Sequence, residues 1–160
     1  MTGFSLIDFL YSLDRSVFYF VNVQMQNVVF DAVMPFLTDL NKKPLALVLA
    51  LLLWVLLLVK GGREGRIAAL LLIPTIAFSD QFNSTWLKHI FERPRPCHVL
   101  PDVHLLVTCG SGFSFPSSHA VNNFAAVAVL SFYLRKWLWW FFAFGSVVTF
   151  SRVYVGVHYP

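Results

Sequence analysis

Residues 45–59 read LALVLALLLWVLLLV, an apolar run with no polar side chain in it. A helix over this run covers about 22 Å, which is short of the roughly 30 Å hydrocarbon core of a bilayer. Flanking residues therefore have to extend the helix, or the bilayer has to thin around it. The whole chain of 160 residues is similarly apolar, with 58% hydrophobic and 12% charged residues and a mean hydropathy of +0.68. Since soluble domains carry about twice this share of charge, the composition predicts a membrane protein.

Three further segments, 67–87, 117–134 and 137–157, are long enough to cross a bilayer as helices. The first of them is apolar only through Phe78, so its polar second half must face protein or water. The last one opens with an aromatic run that is typical of a membrane interface. The sequence thus predicts an all-α integral membrane bundle with at least four transmembrane helices.

The first 43 residues are harder to assign, because polar residues interrupt every window long enough to cross. Phe4, Ile7, Leu10, Tyr11 and Asp14 follow helical spacing, which favours amphipathic helices at the membrane interface. A single polar span is the alternative that the sequence leaves open.

The charges of the loops predict the orientation of the bundle. The basic residues of the two short connections between the predicted spans are Lys60, Arg63, Arg66, Arg135 and Lys136. By the positive-inside rule both connections face the cytoplasm, although Lys42 and Lys43 fall on the other side. The long connection 88–115 then faces outward, which is the periplasm or exterior for a bacterial inner membrane. The net charge of +4 is too sparse for a nucleic-acid surface.

Both cysteines of the chain, Cys97 and Cys109, lie in this outward connection. The outer side of a bacterial plasma membrane is oxidising, so we expect a disulfide between them. Two free thiols are the alternative.

Polar side chains gather at the outward ends of three predicted spans. They are Lys88 after the second span, Pro116, Ser117, Ser118 and His119 before the third, and Arg152 and His158 at the end of the fourth. A charge at membrane depth costs on the order of 3 kcal/mol, so this convergence favours a shared site over a lipid-facing surface. With Arg93 and Arg95 nearby, the cations and the free amides of a helix start predict a site for a phosphate-like anion.

Three motifs in a fixed order carry a resemblance to a known family. KHIFERPRP contains Lys88, six residues and Arg95; Pro116–His119 reads PSSH; and SRVYVGVH contains Arg152, five residues and His158. In this order and spacing the chain resembles the type 2 phosphatidic acid phosphatase superfamily, which includes bacterial membrane lipid phosphatases and vanadium haloperoxidases. The motifs cover positions 88–158, so the N-terminal half matches only in being membrane-like.

The resemblance implies a role for each motif residue. Those implied to bind the phosphoryl oxygens are Lys88, Arg95, Arg152, Ser117 and the backbone amide of Ser118. His158 is implied to be the nucleophile that forms a phosphohistidine, and His119 is implied to be the proton donor to the leaving group. Because three cationic side chains take the role that Mg²⁺ has in kinases, we expect neither a metal nor another cofactor.

Two features depart from the family pattern. Ser118 stands where Gly is more common, which is tolerable if the backbone amide binds the anion. An Asp normally follows the nucleophilic His by three positions, and this sequence ends at Pro160, one residue short of it. The usual last helix is absent as well. We therefore expect residues 1–160 to form a single membrane phosphatase domain that is truncated at its C-terminal end.

Several polar residues near the motifs have two interpretations. Asp80 is either a supporting residue of the site or a structural group that neutralises Lys88 or hydrogen-bonds inside the bundle. Asn122 and Asn123 either orient the ring of His119 or join two helices. Arg93 is either a second phosphate or head-group contact or a solvated loop charge.

The predicted function is hydrolysis of a phosphate or diphosphate ester of a membrane lipid at the outer face of the membrane. The resemblance leaves undecaprenyl diphosphate, lipid A 1-phosphate and phosphatidylglycerophosphate as candidate substrates, and the first two are favoured. A non-catalytic subunit that binds or transports lipid head groups is the alternative. A vanadium haloperoxidase is disfavoured, because those relatives are soluble.

The expected partners are the lipid substrate and the bilayer, without nucleic acid or an obligate protein partner. The spacings of His89, His98 and His104 around the cysteines fit no closed zinc site.

Overall fold

The computed structural model describes residues 6–160, which form helices and loops without a β-strand. The helices are α1 (Leu6–Tyr19), α2 (Val28–Thr38), α3 (Pro44–Lys60), α4 (Gly62–Phe82), α5 (Lys88–Phe91), α6 (Pro96–Val99), α7 (Ser118–Tyr133) and α8 (Leu138–Tyr154). π-Helical turns extend α1 and α4 over Phe20–Gln24 and Asn83–Leu87, and 3₁₀ turns over Leu40–Lys42 and Arg135–Trp137 precede α3 and α8. The predicted all-α fold is confirmed.

The four apolar segments coincide with helices. Segment 45–59 lies within α3, 67–87 covers most of α4 and its π-helical extension, 117–134 matches α7, and 137–157 matches α8 with the turn that follows it. No helix within residues 6–160 combines the length and the hydropathy that a membrane crossing requires. The helices are confirmed, and the four crossings are not.

The N-terminal region forms two helices, α1 and α2. Asn27 begins α2, because its side-chain oxygen accepts a hydrogen bond from the backbone N–H of Phe30 at 2.9 Å, as N-cap residues do. Phe18 is the buried side chain of α1, whereas Leu6, Ile7 and Leu10 of this helix are exposed. Phe4, which the amphipathic pattern included, lies outside the described residues.

The helices pack in a chain of neighbours in which α3 contacts α4, α4 contacts α7, α7 contacts α8, and α8 contacts α2. Trp54 of α3 donates a hydrogen bond from Nε1 to the carbonyl oxygen of Ala69 in α4 at 2.9 Å. Gly145 lets α8 approach α7, because a Cβ atom there would lie 2.9 Å from Cγ2 of Val127. The main buried cluster forms where α1, its π-helical turn and α2 meet the end of α8. Its members are Phe18, Val21, Met34, Val153, Tyr154, Val155 and Val157.

The long loop between α5 and α7 folds over the same end of the bundle. A disulfide joins Cys97 to Cys109, twelve positions apart. Glu92 ends α5 with a left-handed backbone (φ +42°), which turns the chain away from the helix axis. Leu100, Val103 and Val107 of this loop pack against the buried cluster at the end of α8, where the predicted site residues lie.

Candidate active site

The centre of the site is a short segment at the end of α8, residues 152–158, which we name the catalytic turn. Every residue from 151 to 158 is buried. The backbone N–H groups of Val157 and His158 both donate to the carbonyl oxygen of Arg152 at 3.2 Å. Gly156 allows the backbone to turn back in this way, since its φ of +85° is a conformation that residues with a Cβ atom rarely adopt. Arg152 and His158 are therefore held on one turn, six positions apart in sequence.

The imidazole of His158 is held on both sides. Nδ1 lies 2.5 Å from the carbonyl oxygen of Ser114, and Nε2 lies 3.2 Å from Nη1 of Arg95. A carbonyl only accepts and a guanidinium only donates, so these partners assign the proton to Nδ1 and the lone pair to Nε2. The atom with nucleophilic character is thus the one that faces the cations.

The electrostatics of His158 show which cations surround it. Burial, together with the positive charges of Arg152, Arg95 and Lys88, lowers its pKa to about 3. Burial and the charge of Arg95 also lower the pKa of Lys88, while Asp80 opposes this effect. His158 is therefore neutral at physiological pH and lies among three cationic side chains.

Arg95 and Arg152 are fixed by polar contacts of their own. Arg95 donates from Nε to the carbonyl oxygen of Gly112 at 3.1 Å and from Nη1 to that of Val157 at 3.3 Å. Arg152 donates from Nη1 to Oγ1 of Thr38 at 3.1 Å, while its Nε has no hydrogen-bond partner within residues 6–160. Both arginine residues are buried, at 8% exposure each. A buried guanidinium with an unused N–H group is a suitable donor for an anion.

The start of α7 supplies the next group of predicted residues. Pro116 precedes Ser117, which is the N-cap position of the helix. The Ser117 hydroxyl and Nε2 of His119 are buried and have no hydrogen-bond partner in the described part of the chain. The Ser118 hydroxyl accepts a hydrogen bond from Nδ2 of Asn83 at 3.1 Å. The backbone amide of Ser118, the first residue of α7, lies at the helix start and is a further donor suited to an anion.

The two histidines line neighbouring cavities. A cavity of about 140 Å³ is lined by Ser117, Arg152 and His158, together with Ser114 and Thr149. A larger one of about 700 Å³ is lined by His119 and by polar and apolar residues of α4 and α7. His119 nevertheless lies within electrostatic range of Arg152 and Arg95. The first turn of α7 thus separates a cationic pocket from a wider groove, with one histidine on each side.

The predicted supporting residues have mixed outcomes. Asp80 accepts a hydrogen bond from Nδ2 of Asn122 at 2.8 Å and forms no direct ion pair with Lys88 among the described residues. Nδ2 of Asn123 donates to the backbone carbonyl oxygen of His119 at 2.7 Å, so this contact does not orient the imidazole ring. Asp80 and Asn122 join α4 to α7, which is the structural interpretation of these residues.

Arg93 makes its contacts with α1 and with Tyr159. It forms an ion pair with Asp14 of α1, and its guanidinium lies over the ring of Tyr159 at 3.6 Å from the centroid. Arg93 is therefore not a solvated loop charge, whereas its contact with a phosphate or head group stays a prediction. The side chain attaches α1 to Tyr159, which directly follows the catalytic turn.

Three ligand-type side chains, Cys97, His98 and Cys109, lie close together in the long loop. Nε2 of His98 is 3.3 Å from Sγ of Cys109. The two sulfur atoms are bonded to each other and are not thiolates, so this group does not have the ligands of a metal site in the oxidised chain.

Sequence reasoning missed three contributors to the site: Thr38, Ser114 and Asn22. Thr38 binds Arg152, the Ser114 carbonyl binds His158, and Asn22 binds the backbone at Tyr154. No local pattern identifies them, because each acts on a residue at least 44 positions away in sequence. For Thr38 and Asn22, the one available signal was that they are polar residues in the apolar N-terminal half.

The chain belongs to the PAP2 superfamily, whose pattern matches residues 67–160, more than half of the sequence. It is 33% identical over 93 residues to the lipid A 4'-phosphatase of Bacteroides thetaiotaomicron, covering 54% of this chain and 41% of that protein. It is 31% identical over 134 residues to the undecaprenyl-diphosphatase BcrC of Bacillus subtilis, covering 84% of this chain and 66% of that protein. The resemblance inferred from the three motifs is confirmed.

Solved structures support the same fold. The crystal structure of Aquifex aeolicus LpxE aligns with a TM-score of 0.70 and 25% identity, covering 92% of this chain and 84% of that one. A transmembrane PAP2-type phosphatidylglycerolphosphate phosphatase from Bacillus subtilis aligns with a TM-score of 0.69 and 24% identity, covering 95% of this chain and 76% of that one. The chain spans less than two thirds of the length of the two relatives compared by sequence.

Proposed function

We propose that this chain is a lipid phosphatase of the PAP2 type, which hydrolyses a phosphate ester or anhydride of a membrane lipid. The observation that carries the proposal is the neutral imidazole of His158, whose Nε2 faces Arg95 within a cluster that also contains Arg152 and Lys88. A neutral imidazole is a nucleophile, and the surrounding cations attract the phosphoryl group that it would attack. The names of the similar proteins agree with this reaction class.

In the proposed mechanism, Nε2 of His158 attacks phosphorus while the bond between phosphorus and the leaving oxygen breaks. The leaving oxygen takes the bonding electrons and receives a proton from His119. Lys88, Arg95 and Arg152 stabilise the charge on the equatorial oxygens, assisted by Ser117 and the amide of Ser118. Water, deprotonated by His119, then cleaves the phosphohistidine and releases inorganic phosphate.

Two contacts prepare His158 for this step. The Ser114 carbonyl oxygen holds the proton on Nδ1, which keeps the lone pair on Nε2. Arg95, which contacts Nε2 directly, lies where it would bind a phosphoryl oxygen next to the attacking atom. Binding of the anionic substrate therefore replaces the Arg95–His158 contact with contacts from both residues to the phosphoryl group.

The leaving group lies on the His119 side in this proposal. The wider groove there has polar walls of Asp80, Asn122 and Asn123 near His119, and apolar walls of Ile73 and Ile76 farther along. A lipid with a polar head and an apolar tail matches this arrangement, in which a polar part of the groove is followed by an apolar part.

The membrane placement is part of the same proposal. Large apolar side chains of α3, α4 and α8 are exposed, including Leu53, Ile73 and Trp139 at 67%, 56% and 78%. In a bacterial inner membrane these side chains would contact lipid, and the loop charges would place the site on the periplasmic or outer side. Undecaprenyl diphosphate and lipid A are the favoured substrates, and phosphatidylglycerophosphate is the third.

The test is release of inorganic phosphate by the purified chain in detergent from undecaprenyl diphosphate, lipid A and phosphatidylglycerophosphate. We expect release from at least one of them, retained activity in EDTA, and no release by His158→Ala. Binding of these lipids without release would support a head-group binding subunit instead. Activity that EDTA abolishes and one divalent ion restores would contradict the metal-independent mechanism.

A further inference from the structure

Asn22 connects the N-terminal region to the catalytic turn through three hydrogen bonds. Its Nδ2 donates to the carbonyl oxygens of Tyr154 at 2.6 Å and His104 at 2.9 Å, and its Oδ1 accepts from the backbone N–H of His104 at 2.9 Å. The side chain is completely buried. Both of its N–H groups are therefore used on backbone carbonyls, one of which belongs to the catalytic turn.

The catalytic turn also packs directly against Asn22. A Cβ atom at Gly156 would lie 3.2 Å from Nδ2 of Asn22, 3.0 Å from the carbonyl oxygen of His104 and 2.7 Å from Cγ1 of Val103. The backbone at Gly156 thus has no space to move toward Asn22. The amide and the glycine fix the turn at two points, two and four residues before His158.

A second set of contacts joins α2 to the same turn. The hydroxyl of Tyr154, a fully buried residue, donates to Oδ1 of Asp31 at 2.6 Å. Nε2 of His104 lies 3.1 Å from the same carboxylate oxygen. Asn22, Asp31, His104 and Tyr154 therefore form one network that links α1, α2, the long loop and α8.

We propose that Asn22, together with Tyr154, is a positioning residue that holds the catalytic turn so that His158 presents Nε2 to the phosphorus atom. The proposal rests on the proposed function and adds to it a part of the chain that the three motifs do not include. Asn22 touches neither the substrate nor His158, and it acts through the backbone of residues 154–156. A displacement of about 1 Å in a nucleophile lowers the rate by about 100-fold, so small movements of this turn matter.

The test replaces Asn22 with Asp, which has the same shape but cannot donate to the two carbonyl oxygens. The matched control is Gln24→Glu, the same amide-to-carboxylate change at an exposed position of the same π-helical turn. We expect Asn22→Asp to lower kcat by about 100-fold with KM changed less than about threefold, and Gln24→Glu to leave both unchanged. A folded Asn22→Asp with the kcat of the wild type, or with its loss confined to KM, would overturn the proposal.

Hydrogen–deuterium exchange measured by mass spectrometry gives a readout that does not need activity. In Asn22→Asp, peptides covering residues 152–160 should take up deuterium faster, whereas peptides of α4 should not change. If the wild-type chain releases no phosphate, the proposed function fails. Deuterium uptake at residues 152–160 then decides by itself whether Asn22 holds the catalytic turn in position. Unchanged uptake at 152–160 refutes it in either case.

Tyr154→Phe provides a second variant if Asn22→Asp does not fold. It removes the hydroxyl that binds Asp31 and keeps the buried ring, so we expect a decrease in kcat of about tenfold with faster exchange at 152–160. A folded Tyr154→Phe with unchanged kcat and unchanged exchange would refute the positioning role of the network.

Discussion

Helix α3 and the catalytic turn differ in a way that composition alone does not suggest. α3 contains the most apolar run of the chain and buries none of its residues, whereas the catalytic turn contains Arg152 and His158 and is buried throughout. A buried polar group needs a partner for each donor and acceptor, so its surroundings are specified atom by atom. An exposed apolar side chain has no such requirement. The tightly specified core of this protein is therefore built around its polar site.

The largest expected effect tests whether the catalytic turn carries the chemistry. His158→Ala should lower phosphate release by about 10⁴-fold or more, because the nucleophile is lost. The matched control is His89→Ala, which removes an exposed imidazole outside the catalytic turn. Acid-labile labelling of the protein from a ³²P-phosphate lipid should disappear in His158→Ala and persist in His89→Ala. Labelling that survives in His158→Ala would assign the nucleophile to another residue.

The next largest effect distinguishes the role of Arg95 from that of Arg93, two positions earlier in the sequence. Arg95→Gln should lower kcat/KM by about 100-fold, because a buried cation beside Nε2 is lost. Arg93→Gln should mainly lower thermal stability, by about 1 kcal/mol, since Arg93 binds Asp14 and Tyr159. Kinetics and thermal unfolding of both variants check this. Equal losses of kcat/KM would mean that Arg93 also binds the substrate.

A pair of core and surface changes tests the contrast in burial directly. Met34→Ala should lower the free energy of unfolding by about 2–5 kcal/mol, because Met34 is 6% exposed in the cluster behind the catalytic turn. Leu53→Ala, in the exposed face of α3, should change it by less than about 0.5 kcal/mol in detergent. Thermal unfolding in one detergent measures both. A larger loss for Leu53→Ala would show that α3 is part of the packed core.

The disulfide of the long loop offers a smaller test. The double variant Cys97→Ser/Cys109→Ser should lose about 3 kcal/mol of stability in the chain-entropy model. It should also raise KM, because the same loop supplies the carbonyl oxygen of Gly112 that holds Arg95. Thiol titration of unfolded protein with and without reductant verifies the bond. Equal titres would show that the two cysteines are reduced.

The last comparison concerns the dependence of stability on pH. His158 has a pKa of about 3 in the folded chain against 6.5 ordinarily, so the unfolded chain binds the proton first as the pH falls. The contribution of His158 to the free energy of unfolding is complete above pH 6.5 and decreases as the pH falls toward 3. The decrease in Tm between pH 7 and pH 4 should therefore be smaller in His158→Asn than in the wild type. An equal decrease in both would mean that His158 is not held neutral.

Much of the fold and part of the site could be predicted from local patterns. The apolar runs predicted where α3, α4, α7 and α8 lie, because helix formation and apolar length are properties of neighbouring residues. The motif spacings predicted which side chains gather near His158, since the distance between Arg152 and His158 is set within a single turn. The contacts of Arg93 could not be predicted, because its partners Asp14 and Tyr159 are distant in sequence and their approach depends on packing.

By itself, the sequence determined the helical character of the chain, its family and the residues of the cationic cluster, because these follow from composition and from short spacings along the backbone. The tertiary structure decided how the cluster is held. The Ser114 carbonyl selects the tautomer of His158, Thr38 binds Arg152, and Asn22 fixes the backbone before His158. Each of these contacts joins residues 44 to 132 positions apart. Such hydrogen bonds form only after the helices have packed, so no local pattern contains them.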